Sequence, residues 1–414
     1  MRILQINSSD SGGGSQAISR KLHEAFLEKG HDSHLLVGRK QSDIPNVHSL
    51  LRHPRLFGKP KLSYLHHLER LTGLQGFFSP YLARWTKQHP PSWDVIHCHN
   101  LHGAGYVSLR ELEKFNPDTE MVLTLHDLWM CTGHCVHPQQ CNRFKQGCGK
   151  CPDLERWVPI CIDHTRGNAA RKKKFLHRRK PTLVGVSKWV GEQVDKSHLN
   201  YPCRTIYNGI DLAKFRPMPQ AEARERLHLP ADCVILLYVV AGGLQRGQGN
   251  DFKRPAQVIE ACRILKKRKD FPNFRLVTVG GKGTVPTDIA DIVIQTGKID
   301  AGIEVYFAAS DVTLHASAAE TFGLVLAESL ACGTPVITTD AGGCPEVVKD
   351  SITGHVVPLE DPQAMANATD RTLNSHIGEM RMQARKDTLA RFSQKRMVDD
   401  YVSLYEELTA KRVE

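Results

Sequence analysis

Glu320 and Glu328 are separated by seven residues, inside a segment, Ala319 to Ile337, that reads as a short helix followed by a strand. Leu324, Leu326, Ala327, Leu330 and Ala331 supply the apolar set of that helix, Gly333 is placed as its C′ residue, and Pro335 opens a β-rich run. The pattern predicts a helix start near Thr321. Glu320 would then lie at the N-terminus, where the N–H groups of Phe322, Gly323 and Leu324 can face an anion. Glu328 would follow roughly 12 Å along the axis, at ~1.5 Å per residue. Carboxylates accept hydrogen bonds from hydroxyls, and a helix N-terminus favours negative charge. The combination suits a ligand with a sugar at one end, a ribose at the other and a pyrophosphate between them. Two solvated glutamates on a surface helix would share this spacing. The ordered company of Phe322-Gly323-Leu324, Gly333-Thr334-Pro335-Val336-Ile337 and Gly342-Gly343-Cys344-Pro345-Glu346 favours the ligand site.

Those motifs resemble the E-x7-E signature of retaining glycosyltransferases of family 4, and the resemblance covers nearly the whole chain. It implies the GT-B fold, an α/β architecture of two doubly wound Rossmann-like domains facing across a cleft. It also implies transfer of a hexose from a nucleotide-sugar donor to a carbohydrate or lipid-linked acceptor. Glu320 would contact the transferred sugar and Glu328 the ribose. Charge developing on the departing pyrophosphate must be met by cations and N–H donors. The chain has no Asp-x-Asp pair of the kind that holds a divalent ion, so no catalytic metal is expected. Lys253, in Phe252-Lys253-Arg254-Pro255, resembles the family's phosphate-binding lysine. Where many members carry Gly-Arg-Leu upstream, this chain has Gly242-Gly243-Leu244-Gln245-Arg246, which leaves Arg246 or Arg254 as the second cation.

Gly13-Gly14 resembles the glycine pair that closes over the donor phosphates, where missing side chains permit close backbone approach. A tight β-α connection would look the same. His126-Asp127 resembles the family's acceptor-side His-Asp; His126 either hydrogen-bonds the reacting sugar or acceptor hydroxyl, or caps a strand end. His99, on a neighbouring strand, is a further binding candidate. Glycosidases that retain configuration by double displacement place two carboxyl groups ~5 Å apart. Glu320 and Glu328 are too distant for that. The resemblance implies attack from the face the pyrophosphate leaves, with a phosphate oxygen taking the acceptor's proton.

Six of the twelve cysteines fall between Cys131 and Cys161. Cys135, Cys141, Cys148 and Cys151 have the local density of a four-thiolate structural zinc site, in a protein whose expected compartment disfavours disulfides. Disulfides and free thiols stay open as alternatives. Four thiolates leave no vacant position, so a catalytic metal is not implied. The surrounding His126-Asp127-Leu128-Trp129 and Gly147-Cys148-Gly149-Lys150-Cys151-Pro152 also resemble a family 4 subgroup that builds bacterial exopolysaccharides of the colanic acid type.

The elements that must position these groups alternate between strand and helix. Met1 to Asn7, His31 to Val37, Asp94 to His99 and Met121 to His126 read as strands, and Gln16 to Lys29 as a helix ending at Gly30. Such alternation gives a parallel sheet that binds ligands at its C-terminal strand ends. A second set contains Val234 to Val240, Phe274 to Val279 and Asp311 to His315, with a helix from Pro255 to Arg268. Expected domains are residues 1–186 on the acceptor side and 187–391 for the donor. Met397, Tyr401, Leu404, Tyr405 and Leu408 recur at helical spacing, in a final helix within 392–414 that returns to the first domain.

At 414 residues, 41% hydrophobic and 24% charged, the chain can bury two ordinary cores. Its N-terminus reads as a strand and no apolar run approaches the ~18 residues of a membrane span. A cytoplasmic protein is expected. The formal charge of +11 is partly concentrated in Arg171-Lys172-Lys173-Lys174-Phe175-Leu176-His177-Arg178-Arg179-Lys180. That run suits peripheral contact with anionic lipid at the inner face of the cell membrane, or a solvated helix face. Nucleic acid is not expected as a partner. A nucleotide-sugar epimerase of the same fold and a non-enzymatic basic binding protein are the competing functions.

Overall fold

The first strand, β1 (Arg2–Ser9), is buried from Ile3 through Asn7, because a parallel strand in the middle of a sheet is covered on both faces. It pairs in parallel with β2 (Asp32–Arg39), which pairs with β3 (Val47–Ser49). On its other side lie β4 (Val95–Cys98), β5 (Glu120–Leu125), β6 (Thr182–Gly185) and β7 (Cys203–Thr205), all parallel. The sheet order is β3-β2-β1-β4-β5-β6-β7. The winding therefore reverses between β1 and β4, the point where open α/β sheets bind ligands. Helix α1 (Gly14–Glu28) buries Ile18, Leu22, Ala25 and Phe26, one stripe at helical spacing, and the chain leaves it through Gly30 at φ +79°.

This computed structural model describes all residues except 51–54, 57–58, 61, 89–91, 104–105, 241–243, 245–251, 300 and 412–414. Two units divide the chain, Met1–Tyr207 with Met397–Glu414, and Asn208–Arg396. The division falls after Tyr207 where 186 was expected. Strand β7 is the reason: Cys203-Arg204-Thr205 carries no apolar pattern, yet it pairs with β6 and keeps the intervening residues in the first sheet.

Helix α2 (Thr165–Arg179) carries the basic run. Much of that charge faces inward. Lys172 is 1% exposed, and its Nζ donates to the carbonyls of Trp129 (2.6 Å) and Thr132 (3.0 Å). Arg179 donates to the carbonyls of Asn116, Pro117 and Thr119. Lys174, His177, Arg178 and Lys180 are exposed. Among the described residues, no helix is long and apolar enough to cross a membrane.

The second unit repeats the architecture. Its strands are β8 (Val234–Val240), β9 (Phe274–Gly280), β10 (Val293–Gly297), β11 (Val312–His315), β12 (Val336–Thr339) and β13 (Gly354–Val357). They form a parallel sheet of order β10-β9-β8-β11-β12-β13, so the winding reverses between β8 and β11. Helices α3 (Pro255–Lys267) and α4 (Leu324–Ala331) flank it. Leu236, Tyr238, Val258, Cys262, Leu276 and Leu314 lie in one apolar core. Two doubly wound α/β units are thus present, as the GT-B expectation requires.

Helix α4 starts at Leu324, three residues later than the apolar spacing predicted, because Gly323 caps it at φ +89°. Glu320 accordingly sits in the loop before the helix, and the estimate of a helical rise between the two glutamates does not apply. The final helix, α5 (Gln394–Ala410), buries Met397, Val398, Tyr401, Leu404 and Tyr405. Tyr401 Oη lies 2.8 Å from Thr124 Oγ1, and Tyr405 Oη 2.6 Å from His97 Nδ1, which binds the helix to β4 and β5 of the first sheet.

Candidate active site

In the second unit, residues from two loops meet at the C-terminal end of β11. Lys253 forms an antiparallel bridge with Ser317, while Ala318 N–H donates to Phe252 O (2.6 Å) and Arg254 N–H to Ala316 O (3.0 Å). These bonds lock the segment before α3 against the loop after β11. Lys253 Nζ consequently donates to Glu320 Oε2 at 2.7 Å and lies 3.3 Å from His315 Nε2. His315 Nδ1 is 3.0 Å from Thr338 Oγ1 on β12. If Lys253 donates to Nε2, neutral His315 carries its proton on Nδ1 and donates to Thr338. Burial pushes the His315 pKa down, and Lys253 lowers it further. Burial alone would raise the Glu320 pKa; the Lys253 cation outweighs it and holds the carboxyl well below the usual range. Glu320 is therefore an anion, and its partner is the lysine assigned to the phosphates.

The backbone of Glu320 is also fixed. Its carbonyl accepts the Gly343 N–H at 2.8 Å, and a Cβ on Gly342, which has φ +61°, would stand 1.8 Å from that same oxygen. The Gly342-Gly343 turn is thus a seat for Glu320. Phe322 is 2% exposed and packs edge-on against Phe392 with ring centroids 5.3 Å apart. Its side chain anchors the loop. Leu324 and Glu328 occupy the first turns of α4, both partly buried. Arg254 caps α3 and lies 3.5 Å from Glu360 Oε1. Arg246 falls outside the described residues.

In the first unit, the ends of β4 and β5 bring polar side chains around a cavity of about 10 Å³ lined by His99, Asn100, His102, His126, Asp127 and Trp129 among others. His99 Nδ1 is 3.0 Å from His126 Nε2. Burial lowers the His126 pKa to about 4 against the opposing pull of Asp127, and burial also pushes His99 well down. Both imidazoles are neutral near pH 7. Asp127 is held by two neighbours: Oδ1 accepts the Trp129 N–H at 2.8 Å and Oδ2 lies 2.7 Å from His102 Nε2. Burial raises the Asp127 pKa, but His102 and the Trp129 N–H bring it down to about 2. His102, which the sequence reading missed, pairs with Asp127, and its Nδ1 is buried with no hydrogen-bond partner among the described residues. Gly13 caps α1, donates its N–H to Gln16 Oε1 at 3.1 Å, and is followed by Gly14 as the first helical residue.

Cys135, Cys141, Cys148 and Cys151 line one cavity of about 20 Å³ together with His134 and Phe144. All four are free thiols. His134 Nε2 is 3.3 Å from Cys151 Sγ, and Gly133 N–H donates to Cys148 Sγ at 3.2 Å. Among the described residues, no group of three or more His, Cys, Asp or Glu side chains is already disposed to hold a metal ion. The segment is brought together as expected; preformed zinc geometry is not.

Residues 12–214 match the family described as Glycosyltransferase Family 4, and residues 244–390 match Glycosyl transferases group 1. The putative colanic acid biosynthesis glycosyl transferase WcaC of Escherichia coli K12 is 25% identical over 99% of this chain and 100% of its own. A D-inositol 3-phosphate glycosyltransferase of Saccharomonospora viridis is 33% identical over half of each chain. Among solved structures, sucrose-phosphate synthase of Thermosynechococcus elongatus superposes with a TM-score of 0.71 at 22% identity, covering 99% of both chains. Anabaena HepE in complex with UDP and glucose superposes with a TM-score of 0.68 at 17% identity, covering 98% of this chain and 99% of that one.

Proposed function

We infer that this chain, a glycosyltransferase of the GT-B fold with a family 4 domain followed by a group 1 domain, moves a hexose from a nucleotide sugar to a carbohydrate or lipid-linked acceptor with retention of configuration. The observation that carries the reading is the ion pair of Lys253 with Glu320 beside His315, at the point where the second sheet reverses its winding. A role in polysaccharide biosynthesis is supported by the colanic acid relative, and a uridine diphosphate donor by the ligands named for HepE.

An ammonium has three N–H donors. Lys253 directs one at Glu320 and one at His315 Nε2, which leaves the third for a diphosphate oxygen as the bond to the sugar breaks. Glu320 accepts hydrogen bonds from the transferred sugar, and the charge of Lys253 keeps it ionised for that purpose. Glu328 accepts from the ribose hydroxyls. In the transfer, the acceptor oxygen bonds the anomeric carbon, the nucleoside diphosphate leaves with the electron pair, and the acceptor's proton goes to a phosphate oxygen on the same face. His126 supplies a hydrogen bond to a sugar or acceptor oxygen.

Zinc is proposed for the four thiols as a structural ion only. Cys135, Cys141, Cys148 and Cys151 would hold it through their sulfurs and tie the loop together. Lys172 Nζ, buried beside them with carbonyls as its partners, would offset the negative charge of the thiolates.

A thermal-shift screen of UDP-glucose and other nucleotide sugars tests the donor role, since a ligand at ~100 times its dissociation constant adds about 2.7 kcal/mol. Free nucleotide should then appear only when a carbohydrate or lipid-linked acceptor is added, with the donor's anomeric configuration kept in the product. Conversion of the donor to an epimer without acceptor would overturn transfer in favour of epimerisation.

A further inference from the structure

Gln5 is a polar residue between Leu4 and Ile6 on the buried strand β1, 0% exposed, and its carboxamide is held between helix α1 and the histidines at the strand ends. In the orientation that satisfies every neighbour, its nitrogen donates to Ser19 O (3.2 Å) and to His99 Nε2 (3.0 Å), and its oxygen accepts the His23 N–H (3.1 Å). The two helix groups leave no choice in this. Ser19 O is a backbone carbonyl and His23 N a backbone amide, four residues apart on one turn of α1, and neither can exchange its role. The helix therefore fixes which end of the amide meets His99.

The consequence passes from ring to ring. His99 Nε2 accepts, so neutral His99 bears its proton on Nδ1. That Nδ1 lies 3.0 Å from His126 Nε2, which must accept in turn. Neutral His126 then bears its proton on Nδ1. The three residues stand at β1, at the end of β4 and at the end of β5, adjacent strands of one sheet. Gln5 is buried far too deep in this arrangement to be a ligand group, and it makes no other described side-chain contact that would explain a glutamine there.

We propose that Gln5 is a positioning residue which, through His99, fixes the tautomer of His126, so that His126 acts as an N–H donor to a substrate oxygen and not as a proton acceptor. The relevance to catalysis rests on the transfer function proposed above; the tautomer itself does not. It assigns the proton chemistry of the first unit: no base is built at His126, in keeping with a reaction in which the leaving phosphate takes the acceptor's proton.

The test is a long-range 1H–15N correlation spectrum of uniformly 15N-labelled full-length protein at neutral pH, without ligand. His99 and His126 should both appear as neutral rings protonated on Nδ1. Gln5→Met keeps the volume and removes both donor and acceptor, and should turn His126 into a mixture of tautomers. Gln5→Glu, which only accepts at that position, should move the proton of His126 to Nε2. A wild-type His126 protonated on Nε2, or a His126 pattern unchanged in Gln5→Met, would overturn the proposal. Should Gln5→Glu fail to fold, the wild-type and Gln5→Met spectra decide alone. With donor and acceptor in hand, Gln5→Met should lower kcat several-fold with little change in donor KM. If the protein moves no sugar while the spectra behave as expected, the transfer function fails and the tautomer relay stands.

Discussion

Lys253 Nζ and Glu320 Oε2 are 2.7 Å apart although 67 positions separate the two residues in sequence, and both side chains are about four-fifths buried. Removing one partner of such a pair leaves an uncompensated charge in a poorly solvated place, which costs more than the pair itself contributes. Lys253→Ala should reduce kcat by roughly 2.7–4 kcal/mol if the ammonium acts as one transition-state charge donor. Glu320→Gln should cut turnover more than nucleotide affinity, since it keeps the shape and loses the charge facing the sugar. The double variant should fall well short of the summed losses, because residues in direct contact couple. Steady-state kinetics with calorimetric nucleotide binding measure all three; small, additive effects would remove Lys253 and Glu320 from the proposed roles.

Gly342→Ala is expected to disable the same site from the backbone. The new Cβ would sit 1.8 Å from Glu320 O in a residue at φ +61°, and the obstructing atom is a backbone oxygen that cannot swing aside. The left-handed conformation alone costs about 1–3 kcal/mol for a residue with a side chain. Lower thermal stability together with lost turnover is expected. Gly302→Ala, also left-handed at φ +85° but with open space around its Cβ, should lose stability without touching the site.

These two positions show what was legible in the sequence. The continuous apolar run of Val234 to Val240 and the periodicity of Met397, Tyr401 and Tyr405 speak for strand and helix on their own, because each reports burial along a local element. Glu320, Lys253 and His126 were found by motif. The groups packed around the motif residues were not: His315 beside Lys253, Thr338 beside His315, His102 beside Asp127 and Gln5 beside His99 are isolated polar residues whose meaning depends on which strands become neighbours. Gln5 did carry a signal, a carboxamide between Leu4 and Ile6. The late start of α4 was hidden by Gly323, whose left-handed cap interrupts an apolar pattern that continues across it. Strand β7 left no apolar trace, which is why the domain boundary lies beyond residue 186.

The buried histidines predict acid sensitivity with a definite sign. Burial brings the His97 pKa down to about 3 and that of His126 to about 4, from 6.5. In the unfolded chain both take a proton near 6.5, so between that value and 3–4 the unfolded state binds more protons than the folded one. Stability is whole above pH 6.5 and falls as pH drops through this window, by at most ~1.4 kcal/mol per pH unit for each such histidine. Glu69, raised to about 7 by burial, works in the opposite direction over part of the range. The informative quantity is therefore a difference: denaturant midpoints of His97→Phe should depend less steeply on pH between 6.5 and 4 than those of the wild type. Equal slopes would mean that His97 is protonated in the folded protein.

The cysteine loop gives the last prediction. Cys135, Cys141, Cys148 and Cys151 line a cavity of about 20 Å³, room for one water-sized occupant, next to the fully buried Lys172. If zinc is held there, purified protein should contain about one zinc per chain, and serine at any one of the four positions should release it. Zinc-finger peptides owe ~10–16 kcal/mol of apparent binding energy to such sites. Here the first sheet has its own core, so loss of the metal should loosen the segment after Asp127 and leave the rest folded. Hydrogen exchange would register this as faster exchange between Thr132 and Asp163, with β1 and β4 still protected. Lys172 offers a second readout: Lys172→Met removes the compensating charge while keeping the bulk, and should weaken zinc retention against a chelator. Disulfides predict no metal and missing thiols in the unreduced, denatured chain. A metal-free protein with all twelve thiols titratable would exclude both, leaving the four cysteines as small apolar side chains that pack the loop beside His102 and His126.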